Sequence, residues 1–111
     1  MITLDALRAM GVNVDEGLGR CMNNEVFYLR LVGKALDDEG FAALQAALEA
    51  GGWSEAFEQA HRLKGALGNL SLTPIYEPLS ALTELLRTRA AVEYEPLLAA
   101  ILEKRCALRA L

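Results

Sequence analysis

The chain has a single histidine, His61, with Lys64, Gly65 and Gly68 close behind it. These are types that could support reaction at an imidazole nitrogen. On a helix advancing about 100° per residue with His61 at zero, Ala56, Ala60, Leu63, Leu67 and Leu70 fall between roughly 180° and 260°. That apolar stripe should face a core and leave His61 on the solvent side. Gly65, at about 40°, and Gly68, at about 340°, flank the histidine. Each interior glycine costs about 1 kcal/mol relative to alanine. Close backbone packing would be one reason for them, but the packing stripe lies opposite. The expectation is that both clear space for something approaching the imidazole from outside. Lys64, at about 300° and one turn along, can pair with an anion attached to the ring. An exposed nucleophile, a cation and cleared space suit phosphoryl transfer to a ring nitrogen, which is mostly positioning and charge stabilisation. Phe57, at about 320°, is an aromatic beside the same site. It is either a docking residue for a partner or half-buried against a neighbouring helix.

The elements that must position these residues read as helices throughout. Apolar residues recur at i, i+3, i+4 spacing, and no β-branched or aromatic run reads as a strand. A short helix is expected over Leu4 to Met10, stopped by Gly11. Asn13 with Glu16 resembles a capping box for a segment from Val14 to Cys21. Asn23 and Asn24 separate it from a helix over Glu25 to Leu36. Asp38 can cap Glu39 to Ala50, closed by Gly51 and Gly52. The motif helix runs from about Trp53 to Leu70, with Ser54 as a candidate cap. Thr73-Pro74 opens the next, reaching Arg87, although Pro78 could move its start to Glu77. The last begins between Glu93 and Pro96 and runs almost to Leu111. Short connections favour antiparallel neighbours. The expected fold is therefore all-α: an antiparallel up-down four-helix bundle with additional short N-terminal helices, one domain over residues 1–111.

Composition narrows the function classes. The 111 residues hold 11 Lys or Arg against 15 Asp or Glu, a net charge of −4. An acidic chain without a basic footprint argues against a nucleic-acid module. With 53% hydrophobic and 23% charged residues the chain should fold. No apolar run approaches the ~18 residues of a membrane span, and Met1-Ile2-Thr3-Leu4-Asp5 shows no secretory pattern. A reduced, cytoplasmic protein is expected, with Cys21 and Cys106 unpaired. No metal site is expected: Glu58 and His61 make one E-x-x-H pair, without a second histidine.

The stretch Ala60-His61-Arg62-Leu63-Lys64-Gly65-Ala66-Leu67-Gly68-Asn69-Leu70 resembles the H-x-L-K-G signature of histidine-containing phosphotransfer (HPt) domains. The resemblance covers about residues 11 to 110, from Gly11-Val12-Asn13-Val14-Asp15 through the last helix. It implies a phosphorelay intermediate. A response-regulator receiver, with its own Mg²⁺ and lysine, would dock on the His61 face, and an imidazole nitrogen, Nε2, would take the phosphoryl group from its phosphoaspartate. Lys64 would hold the phosphoryl oxygens, and Gly65 and Gly68 would admit the receiver's loops. The group would pass to an aspartate on another receiver. The chain would be a phosphocarrier, not an autonomous kinase, with no cofactor of its own. Its partners would be receivers and a hybrid sensor histidine kinase, with no nucleic acid and no membrane, and it would act as a monomer. Met1 and the short helical lead-in favour a stand-alone protein over an excised domain.

Departures from the family pattern bear on partner identity. Leu67 replaces a frequent Ser or Ala, on the core side. Ser71 stands where many members have Gly, and Leu72 where a small residue is common. Continued as helix, Leu72 falls at about 20°, on the His61 face. There it would obstruct a partner or offer it an apolar contact. Two other readings remain. One is a non-phosphorylated helical adaptor on the same scaffold. The other is a kinase dimerisation and phosphoacceptor domain, which typically has an acidic residue after its histidine and a proline nearby; here Arg62 and Gly65-Ala66-Leu67 stand instead.

Overall fold

A computed structural model describes residues 1–111. Seven helices follow one another: α1 (Leu4–Ala9), α2 (Val14–Arg20), α3 (Glu25–Leu36), α4 (Gly40–Glu49), α5 (Trp53–Asn69), α6 (Thr73–Arg87) and α7 (Glu95–Arg109). The all-helical expectation holds. Helix α5 packs against both α4 and α6, α6 packs against α7, and α3 lies along α7. Short connections between these packed neighbours turn the chain back at each step, giving the antiparallel order. The molecule measures 41 × 23 × 20 Å. No helix is long and apolar enough to cross a membrane.

The helix boundaries follow from local chemistry. Thr3 Oγ1 accepts from Ala6 N at 3.1 Å, and Asn24 Oδ1 from Phe27 N at 3.0 Å. Asn13 Oδ1 caps α2 by accepting from Glu16 N at 3.3 Å, and its side-chain amide donates to Glu16 Oε2 at 3.5 Å; the box is only half formed, because the Asn13 backbone N–H bonds the Ser71 carbonyl at 3.2 Å instead of the Glu16 carboxylate. Helix α4 begins one residue later than expected: Glu39 occupies the cap position, while Asp38 Oδ1 accepts from Gly40 N at 2.7 Å. Ser54 is not a cap. It lies within the first turn of α5, and its Oγ accepts from Arg89 Nη2 at 2.7 Å. Gly11 (φ +91°) and Gly51 (φ +71°) end α1 and α4 in the left-handed region that glycine enters without strain.

Pro78 does not delay α6, which starts at Thr73 and runs straight through it. The missing donor would have bonded the carbonyl of residue 74, in the first turn, so only one ladder bond is lost. Burial of Ile75, Leu79, Leu82 and Leu86 along one face holds the helix together across that gap.

The short N-terminal helices are joined to the end of α5. The Tyr28 hydroxyl donates to the Leu70 carbonyl at 2.8 Å in the interior, and burial pushes its phenol pKa up to about 12, so it stays a donor. Gly17 faces this junction. A Cβ there would lie 2.5 Å from the Tyr28 ring and 2.7 Å from the Leu70 carbonyl oxygen, whereas one at Gly19 would meet nothing within 4 Å. Gly17→Ala is expected to lower stability by about 1–3 kcal/mol through overpacking. Gly19→Ala should leave it unchanged or raise it by up to about 1 kcal/mol. Urea unfolding of the two variants beside wild type measures the difference; equal midpoints would contradict this account of the junction.

Candidate functional site

Helix α5 presents its faces as its periodicity requires. Ala56, Ala60, Leu63 and Leu67 are fully buried between α4 and α6, and His61 is exposed on the other side. Lys64 is half-buried one turn further on. At Gly65, which is exposed, an added Cβ would meet nothing within 4 Å. The backbone there borders open space.

Two of the expected docking residues have other roles. Gly68 is a packing glycine: a Cβ would lie 3.0 and 3.2 Å from carbons of the Tyr76 ring. The helical angle places Gly68 on the His61 face but carries no information that α6 folds its first turns over that end of α5. Leu72 is completely buried and offers a partner nothing. Helix α5 stops at Asn69 and the chain turns at Ser71 (φ +56°), so an angle continued to residue 72 loses its meaning, and Leu72 drops into the core. Phe57 takes the half-buried alternative, packed against the core. Its ring stacks on the His61 imidazole, with centroids 5.7 Å apart and planes inclined by 14°.

A polar cleft of about 510 Å³ begins at Lys64 and Gly65. Gly68, Tyr76 and Glu77 form its α5–α6 side, and Glu16 and Arg20 of α2 close it. Arg20 Nη1 donates to the Gly68 and Asn69 carbonyls (3.2 and 3.3 Å) and to Ser71 Oγ (2.7 Å). Its Nη2 meets Glu16 Oε1 at 3.0 Å, and the Ser71 hydroxyl donates to that same oxygen at 2.7 Å. A cation here satisfies carbonyls that the end of α5 leaves open. The Ser71 hydroxyl, and then Arg20, hold the Glu16 carboxyl below its ordinary range. Glu16 and Arg20 did not emerge from the spacing around His61, because they come from a helix some forty residues away. The only hint was Ser71, standing where the family often has glycine.

Arg62, next to the histidine, fixes the other side of α5. Its guanidinium forms a two-pronged bond to Asp38, at 3.1 and 2.8 Å, at the start of α4. Together with the Gly40 N–H this holds the Asp38 carboxyl below its usual value, the Arg62 bonds being the larger cause. No group of three or more His, Cys, Asp or Glu side chains is placed to hold a metal ion.

Fold and site together define a helical bundle that carries one solvent-facing histidine beside a lysine and an open glycine. The chain belongs to the Hpt domain family, whose model matches residues 37–111. The match takes in α4 through α7 and is narrower than the resemblance drawn from residue 11 onward; α1 to α3 precede it. No curated protein and no solved structure matches the chain. Hpt domains serve histidine phosphotransfer in two-component systems, as phosphocarriers and not as kinases.

The Asp38 carboxyl gives a pH test of the clamp. Its folded-state pKa is depressed, so its contribution is present above the unfolded carboxylate value of about 3.9 and is lost as pH falls through the folded value. Asp38→Asn keeps an oxygen for the Gly40 N–H. It should cost about 0.5–1 kcal/mol near neutral pH, since Arg62 is half exposed. The cost should shrink as pH falls below about 3.9 and be gone only once pH is below the folded value. Denaturant melts of both proteins across that range report it; a difference independent of pH would assign the cost to packing instead.

Proposed function

We propose that His61 is the phosphoacceptor of a phosphorelay intermediate, taking the group from a receiver phosphoaspartate and passing it to an aspartate on a second receiver. The observation that carries this reading is the exposed His61 with Lys64 one turn along and open backbone at Gly65, on a helix whose opposite face is locked in the core.

The chemistry asked of this chain is modest. The lone pair of His61 Nε2 attacks phosphorus in line. The bond from phosphorus to the donor's carboxylate oxygen breaks, and its electron pair stays on that oxygen. The Nδ1 proton then passes to water, leaving a neutral ring that carries the anionic phosphoryl group. Lys64, one turn along α5, neutralises phosphoryl oxygens as they arrive. Gly65 lets the donor's loops reach the helix. The receiver supplies Mg²⁺ and its own lysine to stabilise the phosphoaspartate, and this chain contributes positioning. The polar cleft bounded by Arg20, Glu16 and Lys64 continues the docking face beside the histidine. In this role the chain works as a monomer in the cytoplasm, between receivers and a hybrid sensor histidine kinase.

Label transfer tests the proposal. A receiver loaded with radioactive phosphate, mixed with the protein and Mg²⁺, should pass acid-labile, base-stable label to wild type and none to His61→Gln. Lys64→Ala should slow transfer by about tenfold, the loss of one charge-assisted contact. Gly65→Gln should block receiver transfer while leaving thermal stability intact, because the added side chain enters open space. Receivers that bind wild type yet transfer no label would favour the adaptor reading.

A further inference from the structure

We infer that Phe57 is a positioning residue for His61: its ring sets the plane of the imidazole and so the direction of the nitrogen lone pair. The inference rests on His61 being the phosphoacceptor and adds a device within the same helix.

Phe57 lies one turn before His61, where side chains four residues apart meet on a helix. The 5.7 Å separation and 14° inclination are those of an offset stack. The two rings are held unequally. Phe57 is half-buried and packed on the core, whereas His61 stands in solvent. The anchored ring therefore orients the free one. Without it, an exposed imidazole would sample several χ1 wells and a broad range of χ2, of which only a fraction would aim a nitrogen at an incoming phosphorus.

The geometry suits the reaction. The lone pair of an imidazole nitrogen lies in the ring plane, so a neighbour stacked on the face leaves the reactive edge free. As Nε2 forms its bond to phosphorus and the P–O bond to the donor carboxylate breaks, the ring carries positive charge until Nδ1 releases its proton to water. An aromatic face beside a cationic ring stabilises that charge. The same stack argues against Phe57 as a docking contact. One face of its ring is covered by His61 and much of the remainder by the core.

The test compares wild type with Phe57→Leu, which keeps an apolar anchor without a ring, and Phe57→Tyr, which keeps the ring. Two donors are used, phosphoramidate and a phosphorylated receiver. Ring-current shifts report the stack directly: the His61 carbon-bound protons should move upfield in wild type and Phe57→Tyr, and back in Phe57→Leu. Phe57→Leu should lower the maximal phosphorylation rate roughly two- to tenfold with both donors, leaving the KM for the receiver unchanged, and Phe57→Tyr should restore it. A normal rate with phosphoramidate, together with a raised KM for the receiver, would make Phe57 a docking residue and overturn the inference. Unshifted His61 protons in wild type would overturn it too, whether or not Phe57→Leu folds. Label that forms equally in His61→Gln would instead remove His61 as the acceptor, a result visible before any Phe57 variant is compared.

Discussion

The structure depends on the burial of one stripe of α5. Ala56, Ala60, Leu63 and Leu67 are inaccessible to water, and both α4 and α6 close upon them. Burying each leucine contributes about 1.5–3 kcal/mol, and the two alanines are small enough for a neighbouring helix to approach closely. This burial sets the rotation of α5 about its axis. A turn of one residue, about 100°, would carry polar side chains into the core and His61 toward it. The solvent-facing histidine is thus a consequence of where the leucines must go.

Two polar contacts hold that rotation from outside the core. Arg62 grips Asp38 on one side, and Arg20 covers the open carbonyls at the far end. The second contact explains Ser71. A left-handed serine is strained by roughly 1–2 kcal/mol where glycine would not be, and Ser71 sits at φ +56°. Its hydroxyl offsets this by linking Arg20 to Glu16, two bonds that glycine could not make. The serine thereby fastens α2 to α5. Helix α2, which precedes the family match, thereby becomes part of the wall of the cleft that begins at Lys64 and Gly65.

The motif shows two different uses of glycine in one helix. Gly65 borders open space, while Gly68 borders Tyr76. Both are spaced alike around His61, and both carry the same intrinsic cost to the helix. Of the two, only at Gly65 is the cost unmatched by packing within the chain.

The sequence by itself determined the helices, their order and the face of α5 that His61 occupies, because these follow from local capping groups and from a periodicity carried within single segments. Asn13, Asn24 and Gly51 act locally, and the leucine spacing survives any choice of neighbour. Tertiary structure decided whatever depended on a second element. It brought Tyr76 over Gly68, buried Leu72 after the chain left its helical path, let α6 run through Pro78, and set Arg20 and Glu16 beside the end of α5. It also packed one side of the Phe57 ring on the core and laid the imidazole against its face. A helical angle describes directions around one axis; what stands in those directions is fixed only when the other helices pack.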